Sequence, residues 1–472
     1  MSRLKYVLWG LFLVTQGASA EQTFQLGDVA TATITGSVKE EVYRDTNQST
    51  ELGSCTYTFD PRGAWTWGGG TPTPAITKYI LPTPCRAGPA HTHSPMPFNL
   101  EQIYGDLSHE FDSAWKIDGR LAYRIRNGYA DIVGNPVIEE NAAISHPKYG
   151  ELRSGSMLTR SWSRSDSFSY PLGMSTAWSE TGAGYGFVRK GIRYSAPMLE
   201  FEGGKKLTLE GTFATDNPRY AQNAATVAYD EAPPKPKLWE IFAQYSDQSN
   251  LVEYIFQKST GAQQSSWAKG PLVGDVGNAD GFGAPATTGI GAYTRPTENV
   301  NILQGNHYFS SNWVGTLGIR RNYWSGVVSQ CDYATNPGAP GGIGCFFPSM
   351  GFNNDFNNIA HAAWSVDLMG GVSRTNGLWT YSAGFVRLNK AFTSTPTEYG
   401  QSNTATYVNL QVSRKVPEVY KNLHVYCGLG RIQFGQYGPA PLSMPSNLSD
   451  FGVDPRNQSF GNLLTMGGEI AF

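Results

Sequence analysis

The sequence predicts an all-β protein, a transmembrane antiparallel β-barrel of about 16 strands. Apolar and polar residues alternate with period two in many segments from residue 28 to the end of the chain, as in strands that have one face in an apolar medium. The 472 residues include 54 glycines and are 13% aromatic but only 16% charged, a composition unusual for a helical or α/β enzyme. An export signal at the start of the chain agrees with a membrane barrel outside the cytoplasm.

We expect residues 1–20 to be a signal peptide. Arg3 and Lys5 form a positive first region, an apolar stretch of nine residues follows, and Ala18 and Ala20 provide a small-residue cleavage site. The apolar stretch is too short to cross a bilayer as a helix, and its flanks are those of a secretory signal. The mature chain would then begin after residue 20.

The clearest alternation lies in the segment that ends at Phe213. Leu207 and Leu209 share one face of a strand with Phe213, whereas Lys206 and Thr208 share the other. A soluble β-sandwich would alternate in the same way, so this pattern predicts strands without deciding their surroundings. Further segments with the pattern are 30–43, 115–126, 189–197, 239–246, 251–258, 301–308, 313–323, 362–368, 379–388, 407–413 and 423–429.

Between these segments the chain is irregular and rich in turn residues, which predicts long loops on one side of a barrel spanning 21–472. We expect a long first extracellular loop at 45–111 and a further loop at 158–186. The remaining long loops are expected at 264–298, 328–356 and 433–461. In a compact soluble domain so many long structureless loops would be unusual.

Four of the five cysteines lie in two of these loops. Cys55 and Cys85 flank a stretch rich in glycine, proline and tryptophan, and Cys331 and Cys345 flank another stretch full of turn residues. In an oxidising compartment this arrangement predicts two disulfides, one for each loop.

The charge pattern excludes several classes of function. The net charge of -2 offers no basic face for a nucleic acid, and no catalytic motif of the HExxH or GxSxG type is present. We therefore expect no enzyme activity, no cofactor, no metal site and no nucleic-acid partner.

Four segments resemble the general diffusion porins of Gram-negative bacteria. They are Tyr149–Ser156, Lys190–Pro197, Leu410–Val416 and the terminal strand that alternates from Leu464 to Phe472. The resemblance implies a trimeric barrel of the 16-stranded type in the cell outer membrane, with a third loop, here 158–186, that folds inward and narrows a water-filled channel for passive diffusion of small hydrophilic solutes and ions. It also implies that Phe472 is part of the signal read by the barrel assembly machinery, and that outer-membrane lipid and lipopolysaccharide surround the barrel.

Alternation places a cluster of arginines on the channel side. On the strand before residue 127, Leu121 and Tyr123 belong to the apolar face, so Arg120, Arg124 and Arg126 face inward, because an arginine facing lipid near the midplane costs about 2 to 4 kcal/mol. The remaining wall residues of the expected constriction are Arg153, Arg189 and Arg193. In the porin family an arginine cluster also faces the third loop.

Loop 158–186 contributes Arg160, Arg164, Asp166 and Glu180 to the expected constriction. By the resemblance, the two acids would face the wall arginines and create a transverse field. The candidates comprise eight arginines and, with Glu151, three acids, which predicts a mild preference for anions.

Three alternatives stay open at this stage. The barrel could be a substrate-selective channel for a sugar or a hydrophobic compound, with a different number of strands. Aromatic residues of loop 158–186 could then stack on a sugar: Trp162, Phe168, Tyr170 and Trp178. A barrel enzyme would need a catalytic set at the rim, and a surface adhesin would use the long loops themselves.

Overall fold

The computed structural model describes most of the barrel wall. The described residues are 22–26, 30–50, 87–92, 96–126, 129–130, 137–167, 187–215, 237–260, 297–325, 362–390, 392–393, 404–435 and 460–472. The signal peptide predicted at 1–20 and the four cysteines predicted to form disulfides, Cys55, Cys85, Cys331 and Cys345, lie outside these residues.

The described part of the chain is nearly all β. Its strands are β1 (Gln22–Leu26), β2 (Ala30–Thr50), β3 (Ala87–Thr92), β4 (Met96–Glu110), β5 (Lys116–Arg126), β6 (Tyr129–Ala130), β7 (Val137–His146), β8 (Gly150–Leu158), β9 (Phe187–Ser195), β10 (Leu199–Phe201), β11 (Lys205–Thr215), β12 (Lys237–Ser246), β13 (Asn250–Thr260), β14 (Thr297–Ser310), β15 (Trp313–Ser325), β16 (Ala362–Asn376), β17 (Trp379–Leu388), β18 (Phe392–Thr393), β19 (Ala405–Lys415), β20 (Leu423–Phe434) and β21 (Phe460–Ala471). One helix, Arg160–Ser167, follows β8 and is called the loop helix below.

Sixteen of these strands form one closed antiparallel barrel, which confirms the predicted fold class and strand number. The ring runs β2, β4, β5, β7, β8, β9, β11, β12, β13, β14, β15, β16, β17, β19, β20 and β21, and β21 pairs with β2. The five short strands extend the ends of their neighbours. None of the helical segments described is long and apolar enough to cross a bilayer.

The last residue of the chain contributes to barrel closure. The backbone N–H of Phe472 donates to the carbonyl of Gly36 at 2.8 Å, and the N–H of Gly36 donates to the carbonyl of Phe472 at 2.6 Å. A Cβ at Gly36 would lie 2.5 Å from the carbonyl oxygen of Gln102 and 2.8 Å from the Phe472 ring. Glycine is therefore required where the first and last barrel strands meet.

The outer face of the barrel is apolar, as alternation predicts. On β12, Trp239 and Ile241 are exposed on the outside, whereas Glu240 and Phe242 are buried on the inside. Leu317 on β15 is 72% exposed. Large apolar side chains that are exposed in an isolated chain are the expected surface of a barrel that faces lipid.

Connections between barrel strands are short at one end of the barrel, the turn end, and long at the other, the loop end. The short ones are 111–115, 147–149, 196–204, 247–249, 311–312, 377–378 and 416–422. At the turn end Arg374 stacks over Trp313 and Arg414 over Trp379, at 5.3 and 5.9 Å. Aromatic and cationic residues of this kind mark the interface between lipid and water.

The predicted first loop, 45–111, is too long. Strand β2 continues to Thr50, and Met96–Glu110 forms the barrel strand β4. On β4 the outward residues Ile103 and Leu107 alternate with inward polar residues, but interruption by Gly105 between them weakens that pattern in the sequence. For the loop predicted at 158–186, the preceding strand ends at Leu158 and the next begins at Phe187.

Candidate pore constriction

The loop helix lies inside the barrel against the wall. It begins directly after β8, where the backbone N–H of Leu158 donates to Glu139 Oε1 at 3.0 Å. The guanidinium of Arg193, on β9, donates to the carbonyl of Leu158 at 2.7 Å and to Thr212 Oγ1 at 2.9 Å. These bonds turn the chain inward at the end of β8, so the loop starts its course within the lumen.

A buried carboxylate caps the loop helix. Glu240 Oε1 accepts the backbone N–H of Arg160 at 2.7 Å, and Oε2 accepts that of Ser161 at 3.0 Å. Gln257 Nε2 donates to Glu240 Oε2 and to Ser161 Oγ, each at 2.8 Å. The first N–H groups of a helix have no partner within it and carry partial positive charge. Glu240, only 2% exposed, therefore both satisfies these donors and fixes the helix to β12.

Two arginines of the loop helix bind carboxylates of the wall. Arg160 donates from Nε and Nη2 to both oxygens of Glu210, at 2.5 and 2.7 Å. Arg164 donates from Nε to Glu253 Oε1 at 2.8 Å. Both guanidinium groups also lie over the ring of Phe242, at 5.4 and 5.9 Å. The charged loop side chains thus end on acids of β11 and β13, on opposite sides of β12.

Trp162 anchors the loop helix on its other side. It is 5% exposed and packs with Ala122, Ile138 and Leu158. The guanidinium of Arg124 lies 4.9 Å from the centre of its ring, a cation–π arrangement. Its ring is therefore covered by the protein itself, which does not favour the sugar-stacking role considered for this residue. The other three aromatics considered with it, Phe168, Tyr170 and Trp178, lie outside the described residues.

Two further wall arginines, Arg120 and Arg153, form ion pairs nearer the turn end. Arg120 donates to both oxygens of Asp106, at 2.7 and 3.1 Å, and lies 3.8 Å from Glu139. Arg153 donates to Glu151 Oε1 at 2.8 Å and to Asn141 Oδ1 at 2.6 Å. Each guanidinium is thus held in a fixed orientation on the lumen wall.

The structure brings together six of the ten charged residues predicted for the constriction. Arg120, Arg124, Arg153, Arg160, Arg164 and Arg193 all lie on the lumen side or in the loop helix. Arg126 and Arg189 belong to barrel strands and Asp166 to the loop helix, but their side chains lie outside the described ones. Glu180 lies outside the described residues altogether.

Sequence reasoning missed the acids of the wall. Carboxylates that pair with the constriction arginines or cap the loop helix are Asp106, Glu139, Glu151, Glu210, Glu240 and Glu253, of which only Glu151 was predicted. Among the described side chains, Arg120, Arg153, Arg160, Arg164 and Arg193 each lie within 4 Å of at least one of these carboxylates. The wall therefore carries acids that the predicted count of eight arginines against three acids did not include. The alternation of the sequence could have identified two of these acids, because Glu210 and Glu240 alternate along their strands with apolar residues that face outward.

The inner face changes character beyond β13. A cluster of buried apolar side chains begins at Phe242 on β12 and Ile255 on β13 and continues into the later strands with Val300, Ile302, Met369, Val386, Leu388, Ala405, Tyr407, Ile432 and Phe434. Buried polar side chains also face inward on these later strands: Gln304, Asn306, Thr316, Asn322, Ser365, Asn409 and Gln411. Within this region Arg320, 1% exposed, lies directly opposite Asp367, 0% exposed, on the neighbouring strand. Asp367 also accepts from Asn322 Nδ2 at 2.8 Å and from the backbone N–H of Asn389 at 3.0 Å. We call β4 to β13 with the loop helix the charged wall, and the inner face of β14 to β20 the apolar wall.

Comparisons with known proteins give the fold. No protein-family model and no curated protein matches the sequence. Among solved structures, in-vitro folded OmpT, an outer membrane protein of Vibrio cholerae, matches with a TM-score of 0.51 and 9% identity over 96% of this chain and 100% of that chain. An anion-selective porin from Comamonas acidovorans matches with a TM-score of 0.51 and 12% identity over 94% of this chain and 100% of that chain. At these identities the likeness shows that the chain has the fold of outer-membrane barrels.

Proposed function

We propose that the protein is an outer-membrane channel of a Gram-negative bacterium for passive diffusion of small hydrophilic solutes and ions. One observation carries the proposal: a closed 16-stranded barrel has a charged inner wall and a helix of its own third loop fixed against it. The apolar outer face and the aromatic residues at strand ends support a place in a lipid bilayer. The barrel neighbours, which include a porin, support the same place and role.

The chemistry of such a channel is electrostatic and not catalytic. Fixed charges at a narrow point act strongly on a permeating solute, because the wall around them has a low dielectric constant. Here the arginines of the loop helix and the acids of β11 and β13 form close pairs, so the field they produce is local and directed from loop to wall. The proposal includes no enzyme activity.

We propose weak ion selectivity. The mild anion preference expected from the sequence depended on an excess of arginines that the described side chains do not carry. Because paired charges of both signs line the constriction, anions and cations each meet a favourable partner. A reversal potential measured in a salt gradient is expected to lie near zero, and a strong preference for either ion would contradict this part of the proposal.

Reconstitution into a planar bilayer tests the channel itself. Purified full-length protein, folded in detergent and checked by circular dichroism for β structure, is expected to insert in discrete conductance steps that grow in proportion to the KCl concentration. Folded protein that inserts into the bilayer but gives no steps would overturn the proposed function.

A change at the helix cap tests whether the loop helix defines the pore. Glu240→Gln removes the charge that accepts the N–H groups of Arg160 and Ser161 and that lies 3.9 Å from the buried guanidinium of Arg193, so the loop helix is held less firmly. We expect larger fluctuations of the open-channel current. Glu200→Gln is the matched control, because Glu200 is an exposed acid at the turn end that contacts Lys206 only through a surface ion pair. Identical current noise in the two variants would contradict a role of the loop helix.

We also propose that the protein is a homotrimer, with the outer face of β2 to β8 as the interface. Glu40 and Glu101 share the outward faces of their strands with Val42 and Ile103, and carboxylates on a lipid-facing surface are unfavourable. A groove of about 490 Å³ lies on the same side of the barrel, lined by four small residues together with Leu107, Arg120, Leu121, Glu140 and Asn141. A second copy of the chain would remove these groups from lipid.

Two glycine variants test the trimer. A Cβ at Gly119 in the groove, or at Gly211 on the outer face of β11, meets nothing within 4 Å. Each site therefore accepts a larger side chain within one barrel. We expect Gly119→Trp to yield monomers in light scattering, whereas Gly211→Trp remains trimeric. Trimers of both variants would contradict this interface, and a monomeric unmodified protein would contradict the trimer.

A second candidate function is a channel selective for compounds with an apolar part. The observation that favours it is the apolar wall, which a channel for hydrophilic solutes alone does not require. Liposome-swelling rates decide between the two functions. Rates that rise linearly with solute concentration support general diffusion, and rates that saturate with one class of solute support selectivity.

A further inference from the structure

Three cations stand together on the outer face of the barrel near the loop end. Lys237 on β12, Lys258 on β13 and Arg321 on β15 share the outward faces of their strands with Trp239, Tyr254 and Ile319 respectively, and all three side chains are exposed. We call these three residues the outer cation patch. It lies on the opposite side of the wall from the constriction.

The cations of the patch form no ion pairs with their neighbours in the described part of the chain. None of the three has an ion pair or side-chain hydrogen bond among the described residues, and no acid lies among the described outward side chains of β12 to β15. The inner wall is different, since Arg160 and Arg164 both end on carboxylates. The outer patch therefore has positive charge available for a ligand.

Strand register gives the spacing of the patch. Lys258 lies opposite Asn299, and Arg321 lies opposite Asn301, both on β14. Lys237 is the diagonal neighbour of Lys258, with a separation of about 7 to 8 Å. Lys258 and Arg321 lie two strands and two residues apart, which places their Cα atoms about 12 Å from each other. The patch thus has two positive centres with amide side chains between them.

The position of the patch relative to the apolar surface indicates its partner. Toward the turn end the outer face of β14 and β15 exposes Leu303, Leu317 and Ile319, whereas the patch lies nearer the loop ends of the strands. Tyr254 donates its hydroxyl to Asn301 Oδ1 at 3.1 Å, and Trp239 lies opposite Lys258. Cations and amphipathic aromatics above an apolar belt occupy the headgroup region of a leaflet.

We propose that the outer cation patch binds the two phosphate groups of a bisphosphorylated glycolipid in the leaflet at the loop end. Lys237 and Lys258 hold one phosphate, Arg321 holds the other, and the amides of Asn299 and Asn301 donate to oxygens of the sugar between them. Guanidinium and ammonium groups are the side chains that bind phosphate most strongly. The proposal rests on the proposed location in the outer membrane, but not on channel activity.

Lipid binding to the full-length folded protein in detergent tests the proposal, with bisphosphorylated lipid A as the probe. The Lys237→Gln, Lys258→Gln, Arg321→Gln triple variant is expected to bind at least about tenfold more weakly, since each cation near a headgroup contributes to attraction. The control carries Lys205→Gln, Arg374→Gln and Lys415→Gln, which remove three exposed cations at the turn end, and should keep its affinity.

Further measurements separate the possible outcomes. A monophosphorylated lipid A is expected to bind more weakly than the bisphosphorylated probe to the unmodified protein, and a zwitterionic phospholipid should show no difference between the proteins. Equal loss in the triple variant and the control, or unchanged affinity in the triple variant, would overturn the proposal. If the triple variant does not fold, Lys258→Gln and Arg321→Gln singly must each weaken binding. Channel conductance of the triple variant should stay unchanged, so failure of lipid binding is distinct from failure of the channel.

Discussion

The charged wall and the apolar wall use the same strand geometry for different purposes. In the charged wall, arginines of the loop helix pair with acids of two strands: Arg160 meets Glu210 on β11, and Arg164 meets Glu253 on β13. In the apolar wall the inward positions carry side chains such as Ile302 and Phe434, packed in one cluster. Alternation therefore sets which residues face inward. The type of side chain at these inward positions decides whether a region carries fixed charges or forms a packed apolar cluster.

Phe434 tests the packing role of the apolar wall and is expected to give the largest effect. Its side chain is fully buried within the cluster, so Phe434→Ala leaves a cavity at a cost of about 3 to 5 kcal/mol in the free energy of unfolding. Urea unfolding in detergent or lipid measures this loss in the free energy of unfolding. Phe385→Ala is the control, since Phe385 is exposed on the outer face of β17. Equal losses would show that the apolar wall is not a packed core.

The opposite charges of Arg320 and Asp367, buried inside the apolar wall, give the next largest effect. Asp367→Asn replaces the carboxylate opposite Arg320 by a neutral amide, and removing one member of a buried pair of opposite charges costs about 3 kcal/mol or more. The double variant Arg320→Met, Asp367→Asn removes both charges and should recover most of the stability. A double variant less stable than Asp367→Asn alone would mean that the arginine contributes more than charge compensation.

Much of this comparison could be predicted from the sequence. Alternation identified the inward position of Arg120 and Arg124, because Leu121 and Tyr123 beside them are outward. It could not provide the partners, since Arg160 and Glu210 lie 50 residues apart and Arg164 and Glu253 lie 89 apart. Pairing of this kind depends on strand order and on the path of the loop, which a single sequence with period-two patterns does not define.

The first loop was predicted too long and the cap of the loop helix was missed, for different reasons. Strand β4 was missed because Pro97 and Gly105 interrupt its apolar pattern. The capping role of Glu240 was missed because its partners, the N–H groups of Arg160 and Ser161, belong to the backbone of a distant segment. No side-chain pattern near residue 240 could indicate a backbone ligand of this kind.

Opposite changes within one pair test the electrostatics of the charged wall, with an effect smaller than those on stability. Arg160→Gln leaves Glu210 with a net negative charge at the constriction, and Glu210→Gln leaves Arg160 with a net positive one. Reversal potentials in a KCl gradient should shift toward cation preference in the first variant and toward anion preference in the second. Shifts of the same sign in both variants would contradict a constriction in which these two charges balance.

The turn between β12 and β13 lies within the charged wall, at the turn end, and gives the smallest expected effect. Asp247 Oδ1 accepts the backbone N–H groups of Ser249 and Asn250, both at 2.8 Å, and Oδ2 accepts the hydroxyl of Tyr245 at 3.0 Å. These hydrogen bonds, first among them the one from Ser249, lower the pKa of Asp247 from 3.8 to about 2. The carboxylate is thus favoured in the folded protein over the unfolded one.

A depressed pKa in the folded state makes a contribution to stability that is present above the pKa of the unfolded chain and is lost on acidification. The contribution of Asp247 should be complete above about pH 5, where the unfolded carboxyl is also ionised, and should disappear as the pH falls through about 2. Asp247→Asn keeps an acceptor oxygen for the turn but does not titrate. The stability of the unmodified protein relative to this variant should therefore be constant from pH 7 to about 5 and fall below that range. A constant difference down to pH 2 would show that the turn does not depend on the charge of Asp247.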